Sequence, residues 1–234
     1  MITDSLEYLK ESDDAWKTSI LGGVFLLFSF LLLPLFFVWG YVVRVLDRTA
    51  RGDDAVPAFD EWGDLTIDGA KAFVIVFAYS LVPALLGGVL VGGVLLATGG
   101  SPGAFGAVAL VVAGLLTAAV GLAVAYVAPA ALANYAAERH IGAGVDLEAL
   151  APTLKTGTYA SGWLLAVGLV VVGSFVASLL AIIPFVGAVL GGIVTFYALV
   201  SAAYVVGHTW GDLHPIAVDG DAGSDEPSTE RPAI

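Results

Sequence analysis

The sequence predicts an all-α protein, a polytopic transmembrane helix bundle of about five spanning helices with short interfacial helices. Three observations predict it. Of 234 residues, 59% are hydrophobic and only 13% charged, with a mean hydropathy of +0.93, against ~45–50% apolar and ~25% charged in soluble domains. The acids are confined: no Asp or Glu occurs from Ala15 to Leu46, from Gly69 to Ala137 or from Ala149 to Gly211. Each acid-free stretch holds apolar runs of the ~20 residues that a bilayer core requires.

Residues 1–17 read as an interfacial segment. Ile2, Leu6 and Leu9 fall at helical spacing, with Trp16 near the membrane edge, as in helices that lie on a bilayer. Asp4, Glu7, Glu11, Asp13 and Asp14 argue against a signal peptide, which starts basic. Residues 18–211 form the transmembrane domain. Its first span runs from Ser19 to Val43 with Pro34 near the middle. A re-entrant hairpin folded at Pro34 is the alternative, because each arm would be too short to cross.

The second span covers Ala72 to Thr98. The third runs from Ala104 to roughly Ala136 and is long enough to protrude. Gly162–Ile183 and Phe185–Val206 follow, divided by Ile183-Pro184-Phe185-Val186-Gly187, where proline and glycine turn the chain. Residues 212–234 are acidic with Gly, Ser and Pro, a composition expected to be disordered.

Basic residues set the expected orientation. Arg44, Arg48, Arg51 and Lys71 follow the first span, and Arg139 and Lys155 follow the third, while the turns at Gly99–Gly103 and Pro184 carry none. Positive loops stay cytoplasmic, which puts both long loops inside and the N-terminus outside. Lys10 and Lys17 disagree unless the first segment is re-entrant. The two loops also resemble each other. Pro34 precedes Arg44 by the same interval as Pro129 precedes Arg139, and Phe59-Asp60 or Val145-Asp146 then leads an amphipathic stretch. Phe59, Trp62 and Leu65, and Leu147, Leu150 and Leu154, would form the apolar faces of interfacial helices. Either a two-fold repeat plus a fifth helix or chance similarity accounts for this.

The exterior carries 21 acids against nine Lys and Arg, a net charge of −12 and a pI near 4.3. Nucleic acid is excluded as a partner, because phosphate needs Lys and Arg. Such a surface suits molar salt, where screening shortens to ~3 Å. The absence of cysteine excludes disulfides and thiolate metal sites.

Several runs carry a family resemblance: Ser12-Asp13-Asp14-Ala15-Trp16-Lys17, Gly40-Tyr41-Val42-Val43-Arg44-Val45-Leu46, Arg51-Gly52, Pro57-Ala58-Phe59-Asp60-Glu61-Trp62-Gly63-Asp64-Leu65, Asp68-Gly69-Ala70-Lys71-Ala72 and Ile183-Pro184-Phe185-Val186-Gly187. Together they resemble an archaeal multi-pass membrane family, domain of unknown function 4013, common in halophiles. The resemblance implies a helical membrane protein of haloarchaeal type and brings no activity or catalytic residue.

No Gly-x-Ser-x-Gly elbow, His-Glu-x-x-His or Walker-type Gly-Lys-Ser occurs. His140, His208 and His214 are separated in sequence, and His208 ends the expected fifth helix beside Trp210, where an aromatic belt would sit. The acids Asp53, Asp54, Asp60, Glu61, Asp64 and Asp68 could hold a hard cation, but a solvated loop explains them better. No span centre carries an ionisable side chain, unlike proton relays and ion-coupled carriers. Asn134 is the most polar group at depth, among Ser29, Ser80, Thr117, Ser174, Ser178, Thr195 and Ser201. Gly88 and Gly92, and Gly187 and Gly191, lie four apart and are helix-packing candidates.

No catalytic, metal or cofactor residue is therefore expected. The reading is a non-catalytic scaffold or accessory component of the cell membrane, whose partners are the lipid bilayer and a second copy or another membrane protein. A transporter or channel for a small neutral or apolar solute is the alternative, suggested by the repeat and the interrupted helices. Lowering salt from molar to 0.1 M lengthens screening from ~3 to ~10 Å, so the melting temperature in detergent should fall. A flat profile would contradict a salt-adapted exterior.

Overall fold

A computed structural model describes residues 15–27 and 33–215. They form seven α-helices: α1 (Ala15–Leu27), α2 (Leu33–Ala50), α3 (Trp62–Ala97), α4 (Ala104–Glu138), α5 (Leu147–Leu154), α6 (Gly157–Leu180) and α7 (Val186–Leu213), with a 3-10 turn at Ile141–Val145. No strand occurs among the described residues. Four helices, α3, α4, α6 and α7, are long and apolar enough to cross a membrane. The expected interfacial helix at Ile2–Leu9, the tail beyond Pro215 and Ser29 lie outside the described residues.

The first apolar segment does not form the single span expected over Ser19–Val43. Gly22 and Tyr41 both meet the ring of Phe196 on α7: a Cβ on Gly22 would lie 2.5 Å from it, and the Tyr41 and Phe196 ring centroids are 5.4 Å apart. On one straight helix these residues would stand about 28 Å apart, at ~1.5 Å per residue. The chain therefore turns back between them. The reason lies at Pro34, the second residue of α2, because a proline without N–H and with fixed φ belongs in a helix's first turn rather than its middle.

α2 runs beside α7 in the same direction, with Tyr41 at Phe196, Leu46 and Thr49 at Gly207, and Ala50 at Gly211. Only residues 28–32 separate α1 from α2, so α1 ends near where α2 begins. Ala15 and Ala50 then share one end of the bundle. The start of α1 thus lies at the end of the bundle that holds the first long loop, as the re-entrant alternative implies, and Lys17 joins the other basic residues there.

α2 buries Val38, Tyr41, Val42, Val43, Val45 and Leu46, more than the single stripe of a surface helix, as packing on both α3 and α7 requires. It crosses α3 in the opposite sense, and glycine permits the approach. A Cβ on Gly40 would collide with the Leu65 carbonyl oxygen, and one on Gly69 with that of Phe36. Gly207 against Thr49 and Gly211 against Ala50 do the same for α2 and α7. Lipid is as apolar as the helix surfaces, so close backbone approach stands in for the hydrophobic drive.

α3 and α4 form one antiparallel hairpin, turned at Thr98–Gly103 with positive φ at Gly99 and Gly100. α6 and α7 form another. The most apolar windows of α3 and α4 are each 6% buried against 56% in α7, so α7 is the central helix. Burial concentrates near one end, in Ala130–Ala136 of α4 and Phe196–Trp210 of α7. Toward the other end each hairpin packs chiefly on itself, as where Gly87 faces Thr117 and Gly173 faces Ala198.

The two long loops differ. Asp146 starts α5 by accepting from the Glu148 and Ala149 amides at 3.1 and 3.0 Å, giving the short second-loop helix that the sequence suggests. The first loop has no separate helix, because Trp62 and Leu65 belong to the continuous α3. At ~1.5 Å per residue α3 is about 54 Å long, well beyond a ~30 Å hydrocarbon core. Its charged first turns, with Asp64, Asp68 and Lys71, supply about 15 Å of the surplus at ~1.5 Å per residue.

The fold-back has a direct check. Ser101 and Glu148 lie at opposite ends, and Thr49, buried at 2% exposure, is a poor probe site. In this cysteine-free chain, Lys17→Cys should react with an impermeant maleimide from the same side as Glu148→Cys and opposite to Ser101→Cys. Lys17→Cys reacting with Ser101→Cys would contradict the reversal.

Candidate functional site

The polar side chains gather where α2, α4 and α7 end and α3 begins. α4 stops at Arg139, which caps it in the left-handed region (φ 59) while its amide donates to the Tyr135 carbonyl at 2.8 Å. A side chain with a Cβ occupies this region at a cost, and glycine is the usual choice. The guanidinium accounts for the exception. It reaches Asp47 of α2 at 2.5 Å and Asp68 of α3 at 2.8 Å. Asp47 also receives Arg51 at 2.7 Å, and Asp68 receives the Tyr135 hydroxyl at 3.1 Å.

Burial pulls the Arg139 pKa down, but hydrogen bonding to Asp47 and the charges of Asp47 and Asp68 outweigh it and raise it above the ordinary arginine value. Its side chain is 41% exposed, while Asp47 and Asp68 are 14% and 16% exposed. The carboxylates are thus the members that depend most on the pair. Arg44 makes a second bridge, to Asp60 at 2.7 Å and Glu61 at 3.2 Å. Glu61 also has positive φ, 48°. Between these bridges lies a polar cavity of about 390 Å³ bordered by Arg44, Glu61, Asp64, Asp68, Lys71 and Arg139.

This pairing breaks the resemblance between the two loops. Arg44 binds an acid of its own loop, but Arg139 crosses to α2 and α3 and leaves Asp146 to cap α5. Among the described residues no group of three His, Asp or Glu could hold a metal ion.

The histidines do separate jobs. His140 accepts the Ala143 amide at 3.0 Å, and His214 stacks on Trp210 with centroids 4.1 Å apart. His208 lies within α7, which continues to Leu213 rather than ending there. It sits 3.4 Å from Asp54 and against Tyr204. Asn134 donates to the Ala143 carbonyl at 2.9 Å and so ties α4 to the 3-10 turn. Four of the other hydroxyls bond back to their own helices: Ser80 to Phe77, Thr117 to Ala113, Ser178 to Phe175 and Thr195 to Gly191.

The glycine candidates divide. Gly187 meets the Leu180 carbonyl, and a Cβ on Gly191 would lie 3.4 Å from that of Ala177, so this pair packs α7 on α6. A Cβ on Gly88 or Gly92 would meet no neighbouring helix within 4 Å among the described residues. Sequence reading missed Asp47 and the Gly40/Gly69 crossing. Asp47 carried one visible signal, as the only acid among the three arginines Arg44, Arg48 and Arg51.

A family model described as protein of unknown function (DUF4013) matches residues 25–182. No curated protein and no solved structure matches the chain.

Removing Arg139 leaves Asp47 with Arg51 alone and Asp68 with the Tyr135 hydroxyl alone, both carboxylates mostly buried. Arg139→Ala should destabilise the detergent-solubilised protein by about 1–3 kcal/mol, below the ~3–5 kcal/mol of a fully buried pair because Arg139 is partly solvated. Arg44→Ala should cost less, since Asp60 and Glu61 are 65% and 70% exposed and can rehydrate. Thermal unfolding of both variants checks the order.

Proposed function

We propose, for a chain that belongs to the DUF4013 family of proteins of unknown function, a non-catalytic role as a scaffold or accessory component of the cell membrane. The observation that carries it is the state of the polar groups inside the bundle. Asn134 and the hydroxyls of Ser80, Thr117, Ser178 and Thr195 are spent on backbone carbonyls, which leaves these groups little capacity to hold a polar solute. Solute pathways instead expose ionisable or hydrogen-bonding groups at depth. The ion pairs at the charged end join helices to one another.

Accessible surface for partners supports the same reading. The outward face of α3 leaves Gly88, Gly92 and Gly93 open, with Val89 71% and Leu96 85% exposed. Small residues on a lipid-facing helix admit a second helix closely. We further infer that the basic end faces the cytoplasm and that the acidic exterior is an adaptation to high salt in a haloarchaeal membrane.

A carrier for a small apolar solute is the second reading, favoured by an apolar cavity between the hairpins. Two glycine variants and a flux assay separate the two. Gly191→Ile should destabilise the monomer by about 1–3 kcal/mol through overpacking. Gly92→Ile should leave monomer stability unchanged and reduce assembly with copies or copurifying membrane proteins. Protein-dependent solute flux in vesicles that is lost in Asn134→Ala, with assembly intact, would overturn the scaffold reading.

A further inference from the structure

α4 and α6 belong to different hairpins and are bridged near the charged end. There the Tyr159 hydroxyl donates to the Tyr126 carbonyl and the Trp163 indole to the Ala125 carbonyl, while the Tyr126 hydroxyl donates to Leu154 at the end of α5, each at 2.8 Å. The Trp163 bond has a local cause. Pro129 has no N–H, so the Ala125 carbonyl four residues earlier loses its helical donor. In lipid such an orphan must find another partner, and Trp163 supplies it. These bonds hold the two helices together beside a gap.

That gap is a cavity of about 280 Å³. Its floor is built by Val42 and Leu46 of α2 with Ala202 and Ala203 of α7, all buried, while Ala125 of α4 and Val170 and Val171 of α6 stand exposed at its rim. Every lining side chain is aliphatic, proline or tryptophan. Protein interiors rarely keep voids larger than a water molecule. Water would need two to four polar partners each, whereas apolar cavities of only ~150 Å³ stay dry and accept an apolar guest.

We propose that this cavity is a binding site for one hydrocarbon chain of a membrane lipid, entering between α4 and α6. The choice of occupant follows from its place. The rim lies on apolar helices long enough to span a membrane, so the molecules at the opening are lipid tails, and a tail needs no hydrogen bond from the lining. The site leaves both readings of function open, since a scaffold and a carrier could each hold a lipid chain.

The full chain in phosphatidylcholine vesicles, doped with a diazirine-tailed lipid and irradiated, tests it by peptide mapping. One arm uses a straight acyl tail and the other an isoprenoid tail, which identifies the chain type. Either probe should label the floor at Val42, Leu46 or Ala203, which are 4%, 2% and 7% exposed and beyond reach of bulk lipid. Leu115 and Leu116, 66% and 52% exposed on α4, are the internal control. Ala202→Phe should reduce floor labelling about tenfold by occupying the space while Leu115 remains labelled. Ala166→Phe, from the α6 wall, serves the same purpose if the first variant fails to fold. Labelled Leu115 with an unlabelled floor in both arms overturns the proposal, as does floor labelling undiminished in both folded variants.

Discussion

Arg139 joins three helices at one point. It stands where α4 ends, in a backbone conformation unfavourable to it, and bridges Asp47 of α2 to Asp68 of α3. α2 in turn lies along α7, so the bridge couples the α3–α4 hairpin to the α6–α7 hairpin. It adds to the glycine crossings and to the bonds of Tyr159 and Trp163 across to α4, because apolar helix surfaces alone gain little from leaving lipid for one another. Ion pairs at a partly dehydrated end are less screened than those on a wet surface.

Two consequences follow for the rest of the bundle. Near the arginine the helices approach to backbone contact through Gly40, Gly69, Gly207 and Gly211, and the buried core lies there. Farther away the hairpins part company, and Leu85, Val89 and Leu96 of α3 and Phe105, Val111 and Leu115 of α4 stand exposed. The apolar cavity lies between these two regimes, where α4 and α6 are bridged on one side and separate on the other. Packing that is tight at one end and open at the other thus creates the lipid-facing surfaces on which the functional reading rests.

The spans were legible because bilayer thickness imposes a length that hydropathy reports directly. Ala72–Thr98 and Ala104–Ala136 fall almost entirely within α3 and α4. The first segment was harder to read. Its apolar length fits one span, but Pro34 suits a helix start, and only the contacts of Gly22 and Tyr41 with Phe196 decide between them. Periodicity at Phe59, Trp62 and Leu65 suggested an interfacial helix, and what it marked was the first turn of α3. Gly187 and Gly191 pack as their spacing implied, whereas the identical spacing of Gly88 and Gly92 faces outward. A glycine pair names a close-packing surface without naming the partner. The arginine bridge was illegible, since Asp47, Asp68 and Arg139 are brought together only by the crossing of three helices.

The central claim is that Arg139 holds α2 and α3 through its two carboxylates. Double-mutant cycles pairing Arg139→Ala with Asp47→Ala and with Asp68→Ala, followed by unfolding in detergent at fixed salt, isolate each coupling from the loss of either side chain alone. The account predicts couplings of about 1–3 kcal/mol for both pairs, as for contacting residues of one network. Couplings near zero for both would show that the helices meet without the arginine and would contradict the account.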